Sequence, residues 1–178
     1  MLMRSPGLYA CVARVDHVCD VQRLMRRAVR AICAADYTAR QVESMLTHLL
    51  PLDVQLIRDG AYFAATDGRH ILGASAWRAS SDPSDAESAQ VHGVFVDPDH
   101  ARRGVGRMLL NLCAAAAAEA GFNRLHAVST LTAEPLFRAC GFVATETFDL
   151  ALPDGATLPA LRMTKALDDR VRYNIPRG

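Results

Sequence analysis

Apolar and polar positions change period along the chain, and each change marks an element. Residues 9–15 alternate loosely and are rich in apolar and β-branched side chains, which predicts a first strand ending at Asp16. From Asp20, a cap candidate, the period lengthens. Val21, Leu24, Met25, Ala28, Val29 and Ile32 recur at helical spacing, while Arg23, Arg26, Arg27 and Arg30 fall on the outer face. Thr38 followed by Gln41 is a capping-box pattern for a second helix over 38–49, and Pro51 stops it. Residues 61–66 and 70–78 flank Asp67-Gly68-Arg69, the turn chemistry of an antiparallel hairpin. The small, polar and acidic stretch 79–89 predicts a mobile loop. A strand over 91–96 ends at Asp97-Pro98-Asp99, and a helix over 105–120 ends at Gly121. A strand over 125–129, a short helix over 133–140 closed by Gly141, and a terminal hairpin (142–150 and 157–165 around Pro153-Asp154-Gly155) complete the pattern. The order β-α-α-β-β-β-α-β-α-β-β places one parallel crossover in a mostly antiparallel sheet. No internal repeat is present in the sequence.

Composition narrows the class. A length of 178 residues at 51% hydrophobic content suits a single domain, read here as residues 1–166, followed by a polar, basic tail over 167–178. Twenty Lys and Arg against nineteen Asp and Glu leave a formal charge of +1, which argues against nucleic acid or an anionic membrane as partner and favours a small, roughly neutral one. The longest apolar run, 112–118, falls far short of the roughly 20 residues of a membrane span, and the N-terminus lacks a signal-peptide core. A cytoplasmic location is the expectation. Five cysteines form an odd set without a CxxC pair, so reduced thiols packing as small hydrophobes are expected. His70, His100 and His126 form no metal-like spacing with Cys or carboxylates, and no metal is expected.

The informative segment is residues 91–110, an apolar strand, a short turn, two glycines one residue apart, then a helix. Gly104 and Gly106 let backbone amides approach a ligand closely, and the helix N-terminus adds unpaired N–H groups and the positive end of a dipole. That combination binds phosphate. The segment has no Lys-Ser/Thr of a P-loop and no third glycine of a dinucleotide fingerprint. It resembles the acetyl-CoA signature of the GNAT N-acetyltransferase superfamily, Q/R-x-x-G-x-G/A, with Ala101, Arg102, Arg103, Gly104, Val105 and Gly106 on its six positions. Ala101 departs from the pattern by removing one side-chain contact. Residues 130–142 resemble a second family block, N-x-x-A-x-x-x-Y-x-x-x-G-F, matched at Ala133, Gly141 and Phe142, with Thr130 in place of Asn and Phe137 in place of Tyr.

The resemblance, which covers the chain up to about Lys165, implies a mixed, mostly antiparallel sheet of six to seven strands flanked by about four helices, with one parallel strand4-helix3-strand5 crossover. It implies a soluble enzyme that moves acetyl from acetyl-CoA to a primary amine of a small molecule by direct attack in a ternary complex. A protein or peptide acceptor, and a weakly active acyl-CoA-binding regulatory module, stay open, as does a homodimer. The pyrophosphate of CoA would rest on the amides of Arg103, Gly104, Val105, Gly106 and Arg107, with Arg102, Val96 and Thr130 as further cofactor contacts and Phe137 near the CoA sulfur. Backbone N–H groups of Val94 and Phe95 would hold the thioester carbonyl. Relatives often carry Glu near Gln90, which cannot act as a base. Strand alternation puts Gln90, His92, Val94 and Val96 on one face, which makes His92 the first candidate base and Glu87 the second. Phe137 has no proton to give a departing thiolate. Asp36, Tyr37, Trp77 and Arg78 are the expected acceptor pocket.

Overall fold

The computed structural model describes residues 7–82 and 85–167, so the 168–178 part of the expected tail lies outside the described residues. The chain runs β1 (Tyr9–Val12), α1 (Val18–Ile32), α2 (Ala39–His48), α3 (Val54–Arg58), β2 (Tyr62–Thr66), β3 (Ile71–Ala79), β4 (Ser88–Val96), α4 (Val105–Glu119), β5 (Arg124–Thr130), α5 (Glu134–Ala139), β6 (Val143–Ala151) and β7 (Thr157–Ala166). The strands form one seven-stranded sheet in the order β1-β2-β3-β4-β5-β7-β6. All neighbours are antiparallel except β4 and β5, which are joined through α4.

Local chemistry explains most boundaries. Thr38 Oγ1 accepts from the Gln41 N–H at 3.3 Å while Gln41 Oε1 accepts from the Thr38 N–H at 2.9 Å, a complete capping box for α2. β1 ends at Val12, short of Asp16, because Val15–His17 close a 3₁₀ turn. α1 begins at Val18, so Asp20 lies in its first turn, where a carboxylate still complements the helix dipole. The helix α3 was not expected from the pattern. Asp53 caps it by accepting the Gln55 N–H at 2.9 Å, and Leu56 and Ile57 bury its short apolar side.

Helices cover both faces of the sheet. On one face, Val21, Leu24, Met25 and Val29 of α1, with Val42, Met45 and Leu46 of α2, pack on Ala64, Ala74 and Ala76. On the other, Val105, Leu109 and Cys113 of α4 pack on Phe63 and Ala65, and Leu110, Ala114 and Ala117 pack on Ala89, Val91, Leu125 and Ala127. Alanines on the central strands let the helices approach closely, and burying each large aliphatic such as Leu109 or Leu125 contributes about 1.5–3 kcal/mol. The five free cysteines are dispersed, and Cys33, Cys113 and Cys140 are buried as small apolar groups. No described helix is long and apolar enough to cross a membrane.

Candidate active site at the split between two parallel strands

β4 and β5 pair over only Ser88↔Arg124, Ala89↔Leu125 and Gln90↔His126. Beyond Gln90 they part, β4 continuing against β3 and β5 against β7. Two strand edges in the middle of the sheet therefore face each other without a shared ladder. The Asp97 N–H donates to Leu72 O at 2.8 Å, and amide directions alternate along a strand, so the Phe95 N–H also points to β3. The amides of Val94 and Val96 point into the split. Phe95, expected as an amide donor beside Val94, thus turns its N–H the other way, and the next amide facing the split is that of Val96, about 7 Å further along. Val94, Phe95 and Val96 are only half-buried although β4 is central.

A bulge interrupts β4 just before these residues. Ser75 pairs with Val94 and Trp77 with Val91, so His92 and Gly93 together oppose a single β3 residue, and Gly93 sits at φ +81°. The consequence corrects the face assignment. Val91 and Val94 both pack against the α4–α5 side, which three-residue spacing forbids in an unbroken strand, while Phe95 packs against the α1–α2 side. His92 consequently belongs to the α1–α2–α3 side with Arg78 and Asp53, and does not share the face of Val94. Burial, and next the Arg78 guanidinium, hold its imidazole below the usual His range, against an opposing pull from Asp53.

At the far end of β4 the backbone turns into α4. Arg102 lies at φ +61° and Gly104 at φ +85°, and Gly104 is the N-cap of a helix that no side chain caps. The first bond closing α4 is Met108 N–H to Gly104 O at 2.9 Å, which leaves the amides of Val105, Gly106 and Arg107 ahead of the ladder. A Cβ at Gly104 would meet nothing within 4 Å, so this corner is open. Gly106 is small for another reason. A Cβ there would lie 2.7 Å from Leu136 Cδ2 and 3.3 Å from Val96 Cγ2, so it lets α5 and β4 close on α4. Arg102 and Arg103 are exposed beside the turn, and Arg107 donates to Ala139 O at 3.1 Å. Arg27 of α1 forks onto Asp97 and Asp99, and Asp97 accepts the Asp99 N–H at 2.9 Å, which fixes the loop that launches the cradle.

The remaining candidates separate. Tyr37 is buried, donating to Pro159 O at 2.7 Å and accepting from the Leu131 N–H at 2.9 Å, so its hydroxyl ties the end of β5 to β7. Asp36 accepts from Thr132 Oγ1 at 2.7 Å, and Thr130 Oγ1 accepts the Ala133 N–H at 3.2 Å to start α5. Asp36 and Tyr37 brace the loop after β5. Phe137 is 3% exposed, packed edge-to-face on Phe142 with ring centroids 5.1 Å apart, within the core under α4. Trp77 and Arg78 were expected to share a pocket, but consecutive strand residues face opposite ways. Trp77 packs under α4 with its ring 6.0 Å from Phe122, and only Arg78 lies on the side of His92. Glu87 precedes β4, accepting from Asn123 Nδ2 at 2.7 Å at the closed end of the parallel pair. It lies roughly 24 Å along the strand from Val94 and is not a base for this site. The bulge and Asp53 are the features the sequence reading missed. A lone glycine inside a strand pattern was the available signal for the bulge.

The model of the acetyltransferase (GNAT) family matches residues 25–142. The chain belongs to the GNAT acetyltransferase family. Its fold is shared with a GCN5-related N-acetyltransferase from Rhodopseudomonas palustris, at 20% identity and TM-score 0.70 over 94% of this chain and 99% of that one. It is shared also with the PaiA N-acetyltransferase of Thermoplasma acidophilum in complex with coenzyme A, at 12% identity and TM-score 0.70 over 89% and 98%. A third likeness is to YncA of Salmonella typhimurium, a putative acetyltransferase with its cofactor acetyl-CoA, at 17% identity and TM-score 0.66 over 93% and 96%. No curated protein matches in sequence. The GNAT fold accounts for the strand order and for the α4 crossover at the split.

Proposed function

We propose that this GNAT enzyme transfers acetyl from acetyl-CoA to a primary amine of a small molecule by direct attack in a ternary complex. The observation that carries the reading is the unsatisfied backbone at one end of the split. An uncapped α4 N-terminus, opened by left-handed Gly104, stands beside strand amides that no neighbour bonds among the described residues. These groups fit acetyl-CoA. The amides of Gly104, Val105, Gly106 and Arg107, with Arg102 and Arg103 beside them, hold a pyrophosphate, and the free edge of β4 accepts an extended pantetheine as a strand accepts a neighbour.

From there the chemistry follows from the residues. The Val94 amide donates to the thioester oxygen, where negative charge develops as the amine attacks, and the Val96 amide, about 7 Å further along the strand, meets a carbonyl of the pantetheine. An alkylamine is mostly protonated at neutral pH, so it must lose a proton to form the C–N bond. His92, on the opposite side of the strand from the α4 helix and neutral at pH 7 because its pKa is lowered, accepts that proton. The neutral amine adds to the carbonyl carbon, the tetrahedral oxyanion re-forms the carbonyl as the C–S bond breaks, and water carries the nitrogen's second proton away and returns one to the thiolate, since Phe137 has none to give. Tyr37 positions the β5 end and is not assigned to proton transfer, being engaged on both sides.

The test is an acetyl-CoA turnover screen over primary amines and peptides, reading thiol release, with mass spectrometry on the products. Thiol release that requires a small amine and matches acetylated product supports the reading. Release only with peptides moves the acceptor to protein, and release without any acceptor dependence contradicts the transfer.

A further inference from the structure

Arg78 forms no ion pair among the described residues. Arg27, Arg30, Arg124, Arg138 and Arg162 each lie within ion-pair distance of a carboxylate, at 3.9 Å or less. Arg78 is half-buried, forms no ion pair or hydrogen bond with any described residue, and its Nε is fully buried without a partner. A donor withdrawn from water without a partner carries a cost, and such a cost is tolerated where a ligand supplies the missing acceptor. Its position is informative. Arg78 pairs across the strands with Gln90, and His92 lies two residues further on the same side, about 7 Å along β4. Asp53, the acid that acts on His92, accepts the Gln55 N–H at 2.9 Å as the α3 N-cap.

We propose that Arg78 fixes an anionic group of the acceptor, and that the substrate class is small primary amines bearing a carboxylate. A guanidinium presents its donors in a planar fork that matches a carboxylate bidentately, and an amino acid is short enough to put its amine at His92 while its carboxylate meets Arg78. Such a zwitterion also agrees with a chain of nearly neutral charge. This assignment rests on the reading of the split as the acetyl-transfer site.

The test offers acceptors as matched pairs, glycine with glycinamide, alanine with alaninamide and methionine with methioninamide, to the wild type, Arg78→Met and Arg78→Lys, with thermal melts to confirm folding. The expected result is a higher kcat/KM for the carboxylate of at least one pair. In Arg78→Met the carboxylate-over-carboxamide ratio falls about 10- to 150-fold, the range for one charge-assisted contact, with Arg78→Lys in between. A ratio unchanged by Arg78→Met, or carboxamides used as well as carboxylates by the wild type, overturns the assignment while leaving acetyl transfer intact. No turnover of any acceptor in the presence of acetyl-CoA overturns the transfer reading and this assignment with it.

Discussion

Gly104→Glu, compared with Gly104→Ala, separates the anion-binding role of the α4 N-terminus from its backbone geometry. Gly104 lies at φ +85°, where an L-residue costs about 1–2 kcal/mol, and its missing Cβ faces open space. Neither substitution meets a steric obstacle, so both should fold with Tm lowered by roughly 2–8 °C. They differ in charge. A glutamate at the cradle brings a carboxylate near the site assigned to pyrophosphate, and two unit charges about 4 Å apart repel by about 1 kcal/mol in water and about 4 kcal/mol at an effective dielectric of 20. Gly104 is exposed, so the effect lies between these limits, a weakening of acetyl-CoA binding of roughly 5- to 700-fold relative to Gly104→Ala. Calorimetric titration of both variants with acetyl-CoA, beside thermal melts, measures the two effects separately. Equal affinity in Gly104→Glu and Gly104→Ala, both folded, would refute the cradle.

His92→Ala should lower kcat by about 10²–10⁴-fold with acetyl-CoA affinity nearly intact, the usual cost of losing a general base. Because its pKa is lowered, the wild-type kcat/KM should fall only as pH drops below the ordinary His value near 6.5, and a pH profile of His92→Ala should lack that acidic limb. Tyr37→Phe leaves the Leu131 N–H and Pro159 O without the hydroxyl between them and should cost about 1–3 kcal/mol, a Tm lower by roughly 2–12 °C in a calorimetric scan. Gly93→Val places a branched side chain at φ +81° with its Cβ 2.6 Å from Phe95 Cε2, so the bulge should shift. kcat is expected to fall further than the Tm change alone explains.

Elements whose signals are local were legible in the sequence. The Thr38 and Gln41 capping box, the hairpin at Asp67-Gly68-Arg69 and the helix after Gly104 each depend on residues within one turn of each other. The cradle was legible for the same reason, since strand, turn and helix are consecutive. The face of the proposed base was harder to place because face assignment accumulates along a strand, and one extra residue at His92-Gly93 reverses every side chain beyond it. Glu87 read as near the site because sequence distance does not show where β4 and β5 part. Trp77 and Arg78 read as one pocket although adjacent strand residues point to opposite layers. Asp53 reaches the site from α3, a five-residue helix too short for periodicity to reveal.

The central claim is that the split receives the acyl chain and pantetheine as an added strand, with the Val94 amide on the thioester carbonyl and the Val96 amide on the pantetheine. Amide resonances of β4, followed by NMR with and without acetyl-CoA, test it most directly. The account predicts that the Val94 and Val96 N–H groups shift and become protected from exchange on binding, together with those of Gly104, Val105, Gly106 and Arg107. The Phe95 N–H, already bonded to β3, should gain little protection. Binding of acetyl-CoA that leaves the Val94 and Val96 amides unprotected would contradict the account.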